Sequence, residues 1–311
     1  MHVVVTGGAG FIGSHIVDAY LARGWRVDVI DNLSSGDRAN VDPRATLHEV
    51  DIRDERAGAL IAALKPDIVS HHAAQMDVRR SVADPAFDAE VNVVGSARLL
   101  QACADAAVKR FIFASSGGAI YGEPITAPQD EAHPVAPMSP YGCAKLSVEH
   151  YLHYFRLVHG LSSVALRYAN VYGPRQNAHG EAGVVAIFAG RLLRGESVTI
   201  NGSGGQTRDF VYVVDVVAAN VAAAEGAWQG SFNVGTGIET SVNALYEAMA
   251  GLTAATKPPL RAAAKAGEQL RSVLDGTKLR ALAGLPPPMD LRRGLAETID
   301  WFRPALPPPA G

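Results

Sequence analysis

The stretch Thr6-Gly7-Gly8-Ala9-Gly10-Phe11-Ile12-Gly13 constrains this chain most, because it joins a β-branched run to a helix-like segment. Glycines at positions 7, 10 and 13 permit a tight turn and let backbone come close to a large anionic ligand. The amides and positive end of the following helix face whatever lies over that turn, which suits a dinucleotide pyrophosphate. Alone, the triplet is equally an ordinary glycine-rich turn.

Asp31 decides between the two. It closes the second apolar run, roughly 20 residues on, where a carboxylate accepts hydrogen bonds from the adenosine ribose hydroxyls. A carboxylate there repels the extra phosphate of NADP, so the expected cofactor is NAD. Asp51-Ile52 follows a third strand-like run and is placed to bracket the adenine.

The first half keeps a strand-and-helix rhythm. Val3–Thr6, Arg26–Ile30, Ile68–His71 and Phe111–Ser115 read as buried parallel strands, and Gly13–Arg23, Asp88–Ala107 and Pro140–His159 as helices. The expected fold class is α/β, a doubly wound, Rossmann-like parallel sheet with a smaller C-terminal substrate-binding domain. Residues 1–167 form the NAD-binding domain, with a return segment near 209–233; residues 168–208 and 234–311 form the second domain. The strand-like run Asp209–Val214 is expected to rejoin the main sheet. The Pro-rich end from Leu306 to Gly311 reads as frayed.

Composition removes several function classes. With 311 residues, 19% charged and a net charge of −3, the chain has no general affinity for nucleic acid or anionic membranes. Cys103 and Cys143 have no zinc or disulfide spacing, which suits a reducing compartment. The amino terminus reads as a core strand rather than a secretory segment, and no apolar run reaches the ~18 residues of a membrane span. A cytoplasmic location is expected. His71-His72 has no acidic or histidine partner at a ligand spacing, so a structural role at a strand end is expected, and no metal. Arg79-Arg80 reads as a solvated helix start. Nothing marks Cys143 as a nucleophile.

Tyr141 and Lys145 lie about one helical turn apart, on one face of a predicted helix. A free phenol, with a pKa of ~10, is a poor base at neutral pH. A neighbouring ammonium, helped by the positive nicotinamide, favours the phenolate. The pattern is common on exposed helices, but here it follows a buried strand ending Ala114-Ser115-Ser116 in a chain with a dinucleotide fingerprint.

Taken in order, Thr6–His15, Asp31–Gly36, His72-Ala73-Ala74, Asn92, Ser115–Gly122, Tyr141–Lys145, Leu166–Arg175 and Thr207–Asp215 resemble the extended short-chain dehydrogenases that act on nucleotide sugars. Within that NAD-dependent epimerase/dehydratase family, Asp31–Gly36 and Tyr168–Arg175 are most similar to UDP-glucose 4-epimerases. The resemblance implies that Phe11, Ile12, Asp31, Asn32, Ser35, Gly36, Asp51, Ile52, Ala73, Ala74, Gln75, Asn92, Ser115, Tyr141, Lys145 and Tyr168 surround NAD. It implies that Asn170, Val184, Arg208, Lys265, Glu268 and Ser272 meet a UDP-sugar. It further implies a transient oxidation at the sugar's C4, with Tyr141 as base and hydride returned to the opposite face. The long helices of such enzymes often pair across a homodimer as a four-helix bundle.

The chain departs from the family pattern at several positions. The Ser or Thr that meets the reacting hydroxyl lies four residues before Tyr121, and that residue here is Gly117. Ser116 or a water is expected to replace it. Dehydratases of the family place Asp-Glu next, whereas Gly118 and Ala119 carry no acid, so dehydration is not expected. Lys265-Ala266-Gly267-Glu268 matches the diphosphate-facing Arg-x-Gly-Asp segment loosely, and Lys265 lacks the guanidinium fork. Ser272 falls at a gate position whose bulk varies, and its small side chain leaves room for a substituent on the sugar's second carbon. UDP-N-acetylhexosamines and UDP-uronic acids are therefore alternative substrates. A non-catalytic NAD-binding regulator is the rival of a different class; it normally goes with loss of the Tyr or Lys, and both are present.

Overall fold

A computed structural model describes residues 1–177, 183–264 and 269–303. Its central sheet has seven strands: β1 (His2–Thr6), β2 (Arg26–Asp31), β3 (Thr46–Glu49), β4 (Ile68–His71), β5 (Arg110–Ser116), β6 (Ser162–Tyr168) and β7 (Gly230–Val234). They lie in the order β7-β6-β5-β4-β1-β2-β3, every pair parallel. The order reverses between β1 and β4, so a crevice opens at the carboxyl ends of those two strands.

Parallel strands covered on both faces need continuous apolar runs, which is why Val3, Val4 and Val5 are all 0% exposed. On one face, Val3 and Val5 pack with Ile16 and Val17 of α1 (Phe11–Ala22) and Ala219 of the helix Val213–Glu225. On the other, Val4, Val69 and Phe111 pack with Leu99 and Leu100 of Gly95–Asp105 and Val148 of Pro140–His159. A third cluster joins Phe188 and Leu192 of Val184–Leu193 to Leu245 and Ile299.

Two expectations need correction. Asp88–Ala107 is not one helix. Pro85, at the first helical position behind an Asp84 cap, starts a short helix Pro85–Ala89. The chain then widens into a π-helical turn, Glu90–Val94, before the α-helix Gly95–Asp105. Nor does Asp209–Val214 rejoin the main sheet. Only Phe210–Tyr212 is extended, and it pairs in parallel with Asn170–Tyr172 as a separate ribbon. The place beside β6 is taken by β7, which pairs Phe232 with Leu166. Phe210 and Tyr212 pack instead into the third cluster.

Candidate active site

The glycine turn folds as a cradle over the crevice. Gly7 has φ +70°, and a Cβ there would lie 2.5 Å from the Ala73 amide nitrogen. A Cβ on Gly13 would run into the Gly7 carbonyl, so α1 can approach only without a side chain. Gly10 differs: its Cβ position meets nothing nearer than the Gly7 oxygen at 3.2 Å, leaving backbone open to a ligand. Asp31 ties the turn to the end of β2, its Oδ2 accepting from the Ala9 amide at 2.9 Å and its Oδ1 from the Leu33 amide at 2.8 Å. Gly36 closes over Ala9, where a Cβ would lie 2.9 Å from the Ala9 Cβ. Phe11 and Ile12 are half-buried at the start of α1, and Ser35 is exposed.

The flank beyond β2 is equally organised. The Asn32 side-chain amide donates to Asp51 Oδ2 at 2.8 Å. Hydrogen bonds from the Arg53 guanidinium, against a smaller opposing effect of burial, hold the Asp51 carboxyl down at about 2. Ile52 is buried against the Gly95 position. At the end of β4, the Ala73 amide donates to Thr6 Oγ1 at 3.3 Å, and Ala74 and Gln75 follow half-buried. Asn92, in the π turn, grips Gln75 both ways: its Oδ1 accepts from the Gln75 amide and its Nδ2 donates to the Gln75 carbonyl, each at 2.9 Å. A cradle closed to side chains, a carboxylate at the end of β2 and a polar clasp at the end of β4 fit a dinucleotide.

The helix Pro140–His159 delivers the reactive pair. Ser139 caps it, its Oγ accepting from the Gly142 amide at 3.1 Å, and Gly160 ends it in the left-handed region. Tyr141 therefore sits in the first turn and Lys145 in the second. The Lys145 ammonium lies 5.6 Å from the Tyr141 ring centroid and donates to the Ala114 carbonyl at 2.9 Å. Burial lowers the Lys145 ammonium to about 8, with Asp88 opposing the shift. Burial also pushes the Tyr141 phenol above its ordinary range, and the nearby Asp88 adds to the rise. Both effects favour the neutral phenol in the protein by itself.

Below the pair lies a network that the motifs did not reveal. Glu149, one turn past Lys145, ion-pairs with Arg167 of β6 at 2.6 Å and accepts from the hydroxyls of Ser115 at 2.6 Å and Ser231 at 2.9 Å. Arg167 continues to the Tyr121 hydroxyl at 2.7 Å, which in turn donates to Asn233 Oδ1 at 2.9 Å. The helix is thus pinned to β5, β6 and β7 at once. Two residues expected beside the cofactor spend their side chains here and in the core. The Ser115 hydroxyl belongs to Glu149, and the Tyr168 hydroxyl accepts from Asn220 at 2.7 Å. The side chain of Ser116, the last residue of β5, makes no hydrogen bond among the described residues, and the residue is half-buried.

Two adjacent glycines follow Ser116. The side of Gly117 is filled by Leu274, whereas a Cβ on Gly118 would stand 3.5 Å from Ser272 Oγ and 3.8 Å from Asn170 Oδ1. Ser272 is 1% exposed, and its hydroxyl has no partner among the described residues. Its neighbours differ: Arg271 points outward to Glu239 at 2.9 Å, and Val273 is core. Arg208 is half-buried in the short ribbon with Thr240–Ser241, and Val184 begins its helix half-buried. Lys265 and Glu268 lie outside the described residues.

Asp209 and Asp88 were also missed. Asp209 is 0% exposed and accepts from the amides of Thr236, Gly237 and Leu274, pinning two loops together. A carboxylate opening the apolar run Phe210–Val214 was the signal. Asp88, buried with Gln75 and Asn92 as donors, left no sequence signal, since its helix was misread.

Both histidines of the His71-His72 pair meet neighbouring hydroxyls. His71 lies 2.6 Å from Thr6 Oγ1 and 2.9 Å from Ser96 Oγ, and His72 2.9 Å from Ser70 Oγ. Among the described residues no His, Cys, Asp or Glu cluster is arranged for a metal, and no helix is long and apolar enough to cross a membrane.

Residues 3–235 match the model of the NAD dependent epimerase/dehydratase family. The chain is 45% identical over 309 residues to a UDP-glucose 4-epimerase of Mycolicibacterium smegmatis, covering 97% of this chain and 99% of that one. A crystal structure of a UDP-glucose 4-epimerase with UDP-glucose, from Thermotoga maritima, superposes with a TM-score of 0.96 at 46% identity over 98% of this chain and 99% of that chain. A UDP-N-acetylglucosamine 4-epimerase of Methanobrevibacter ruminantium, in complex with UDP-N-acetylmuramic acid, gives 0.93 at 37% identity, covering 98% and 99%.

Proposed function

The chain belongs to the NAD dependent epimerase/dehydratase family, and we propose that within it the protein interconverts UDP-glucose and UDP-galactose. It is an isomerase with NAD as cofactor. The observation that carries the proposal is the Tyr141–Lys145 pair on a pinned helix beside the glycine cradle. Gly118 and Ala119 stand where elimination of water would need acids.

Each residue has a role in this scheme. Gly7, Gly10, Gly13 and Asp31 hold the dinucleotide, and its nicotinamide supplies reversible oxidation at C4 when bound. Tyr141 takes the C4 hydroxyl proton and later returns it. Lys145 keeps a positive charge beside that phenol, and Ser116 offers its free hydroxyl to the C4 oxygen. Arg208 and Asn170 hold the diphosphate end, and the family pattern assigns Lys265 and Glu268 to the same ligand. The proposed substrate-binding part comprises 168–208 and 234–311.

Ser272 favours a second substrate. A small, buried, unpartnered hydroxyl, 3.5 Å from where a Cβ on Gly118 would stand, offers a donor to an N-acetyl group. The Methanobrevibacter ruminantium relative, named for UDP-N-acetylglucosamine, fits the same substrate. A homodimer is also proposed, through the exposed apolar face of Pro140–His159, where Tyr154 is 48% and Leu157 69% exposed. The proposed location is the cytoplasm.

The test is direct. Pure protein is incubated with UDP-glucose, UDP-galactose, UDP-GlcNAc, UDP-glucuronate and dTDP-glucose, and products are followed by NMR. Appearance of the C4 epimer of UDP-glucose supports the proposal. A 4-keto-6-deoxy product or net accumulation of NADH would replace it with another activity.

A further inference from the structure

Gly117 and Gly118 face different spaces, and the difference lies in one side chain. A Cβ on Gly117 would stand 2.8 Å from Leu274 Cδ2 and nearer still to Cδ1, which no real side chain tolerates. Leu274 is 0% exposed and held from several sides. Its amide donates to Asp209 Oδ2 at 3.2 Å, and a Cβ on Gly235 would lie 2.8 Å from its own Cβ. On either side of it, the Val273 carbonyl accepts from the Gln129 amide at 2.9 Å and the Asp275 amide donates to the Gln129 carbonyl at 2.8 Å. The backbone that carries Leu274 is therefore fixed, and its isobutyl group cannot withdraw without leaving a void.

One residue earlier the situation is reversed. Ser115 is committed to Glu149, while Ser116, at the end of the same strand, has a hydroxyl with no partner among the described residues. We infer that Leu274 is a positioning residue: by filling the volume over Gly117 it bars a hydroxyl-bearing side chain there and commits the chain to Ser116 as the hydroxyl that meets the reacting sugar oxygen. The inference rests on the proposed C4 epimerisation. It adds that the residue choosing the hydroxyl lies far away in sequence, on the segment that also carries Ser272.

The experiment uses the full chain with its cofactor and compares Gly117→Ser, Leu274→Ala and the two combined, each with and without Ser116→Ala. Thermal midpoint, kcat and KM are read on whichever UDP-sugar the unaltered protein turns over. Gly117→Ser alone overpacks the core and lowers the midpoint by roughly 3–8 °C, and in the Leu274→Ala background, itself destabilised by its cavity, the same change costs at most half as much. In the unaltered background Ser116→Ala lowers kcat more than about tenfold, with KM within about threefold. In the Gly117→Ser/Leu274→Ala background the same change costs less than about threefold, because the hydroxyl has moved to position 117. Should Leu274→Ala not fold, Leu274→Val serves in its place.

An unchanged midpoint for Gly117→Ser overturns the inference, and so does an equal penalty from Ser116→Ala in both backgrounds. A silent Ser116→Ala in the unaltered chain removes the commitment to Ser116, while epimerisation by that chain still stands. Failure of the unaltered chain to epimerise any UDP-sugar strikes the proposed function instead, and the midpoints still report whether Leu274 bars position 117.

Discussion

Glu149 and Arg167 face each other at 2.6 Å beneath the candidate active site, their side chains only 7% and 9% exposed. The ion pair joins the helix that carries Tyr141 and Lys145 to the sheet strand that leads into Asn170. Ser115 and Tyr121 hang on its two ends, so both the strand before Ser116 and the turn after Gly118 share one anchor. A buried pair adds little net stability, but breaking it leaves a charge without a partner. Glu149→Ala should therefore destabilise the protein by about 3–5 kcal/mol, read from urea unfolding. Glu149→Gln keeps the shape and removes the charge, and should lower kcat more than it raises KM. A stable, fully active Glu149→Ala protein contradicts the anchoring role.

Tyr141→Phe tests the base. The phenol oxygen makes no hydrogen bond among the described residues, so its loss should leave fold and bound NAD intact. Turnover should fall by on the order of 10² or more, the usual range for a general base. Near-normal turnover in a folded Tyr141→Phe protein removes Tyr141 from the mechanism.

Stability should decline as the solution is acidified below neutrality, owing to His71 and His72. Burial lowers both imidazoles, His72 to about 3, with the Lys145 charge adding to the effect. Between about pH 6.5 and pH 3 an unfolded chain protonates His72 and the folded chain does not, so the unfolded state gains as pH falls. The cost for His72 is ~2 kcal/mol at about pH 5, and burial of His71 acts in the same direction. Urea unfolding at about pH 7 and about pH 5 measures it, and His72→Gln should remove part of the difference. Equal stability at both pH values would mean that the rings titrate normally.

Ser272→Tyr tests the pocket. An extra group in an open pocket alters affinity by only ~1–3 kcal/mol, so the unaltered protein should turn over UDP-GlcNAc within about two decades of UDP-glucose in kcat/KM. A tyrosine at 272 would fill the space beside Gly118 and should suppress the N-acetylated substrate selectively. No product from UDP-GlcNAc with the unaltered protein withdraws Ser272 from the gate position and leaves epimerisation of UDP-glucose standing.

Much of the nucleotide half was legible because its chemistry is local. The glycine turn, Asp31 and the Tyr141–Lys145 spacing need only neighbouring residues, and four buried strands announce themselves by unbroken apolar runs. β3 was legible only as a strand-like run before Asp51, without bounds, because Thr46 and Glu49 are exposed at the sheet edge and dilute its apolar pattern. The helix over Asp88–Ala107 was misread because a π turn leaves no periodic signature distinct from an α-helix. Phe210–Tyr212 was sent to the wrong sheet because parallel pairing is chosen by what fills the neighbouring edge, here β7. Glu149 with Arg167, and Leu274 with Gly117, meet only through the fold, and no spacing in the chain encodes them.

The central claim is that the sugar's own C4 hydrogen leaves and comes back on the other face. UDP-glucose deuterated at C4 is incubated with the pure protein in ordinary water, and the products are read by NMR and mass spectrometry. The account predicts UDP-galactose that retains deuterium at C4, with no net change in cofactor absorbance. Epimer carrying protium at C4, formed by exchange with solvent, would contradict it.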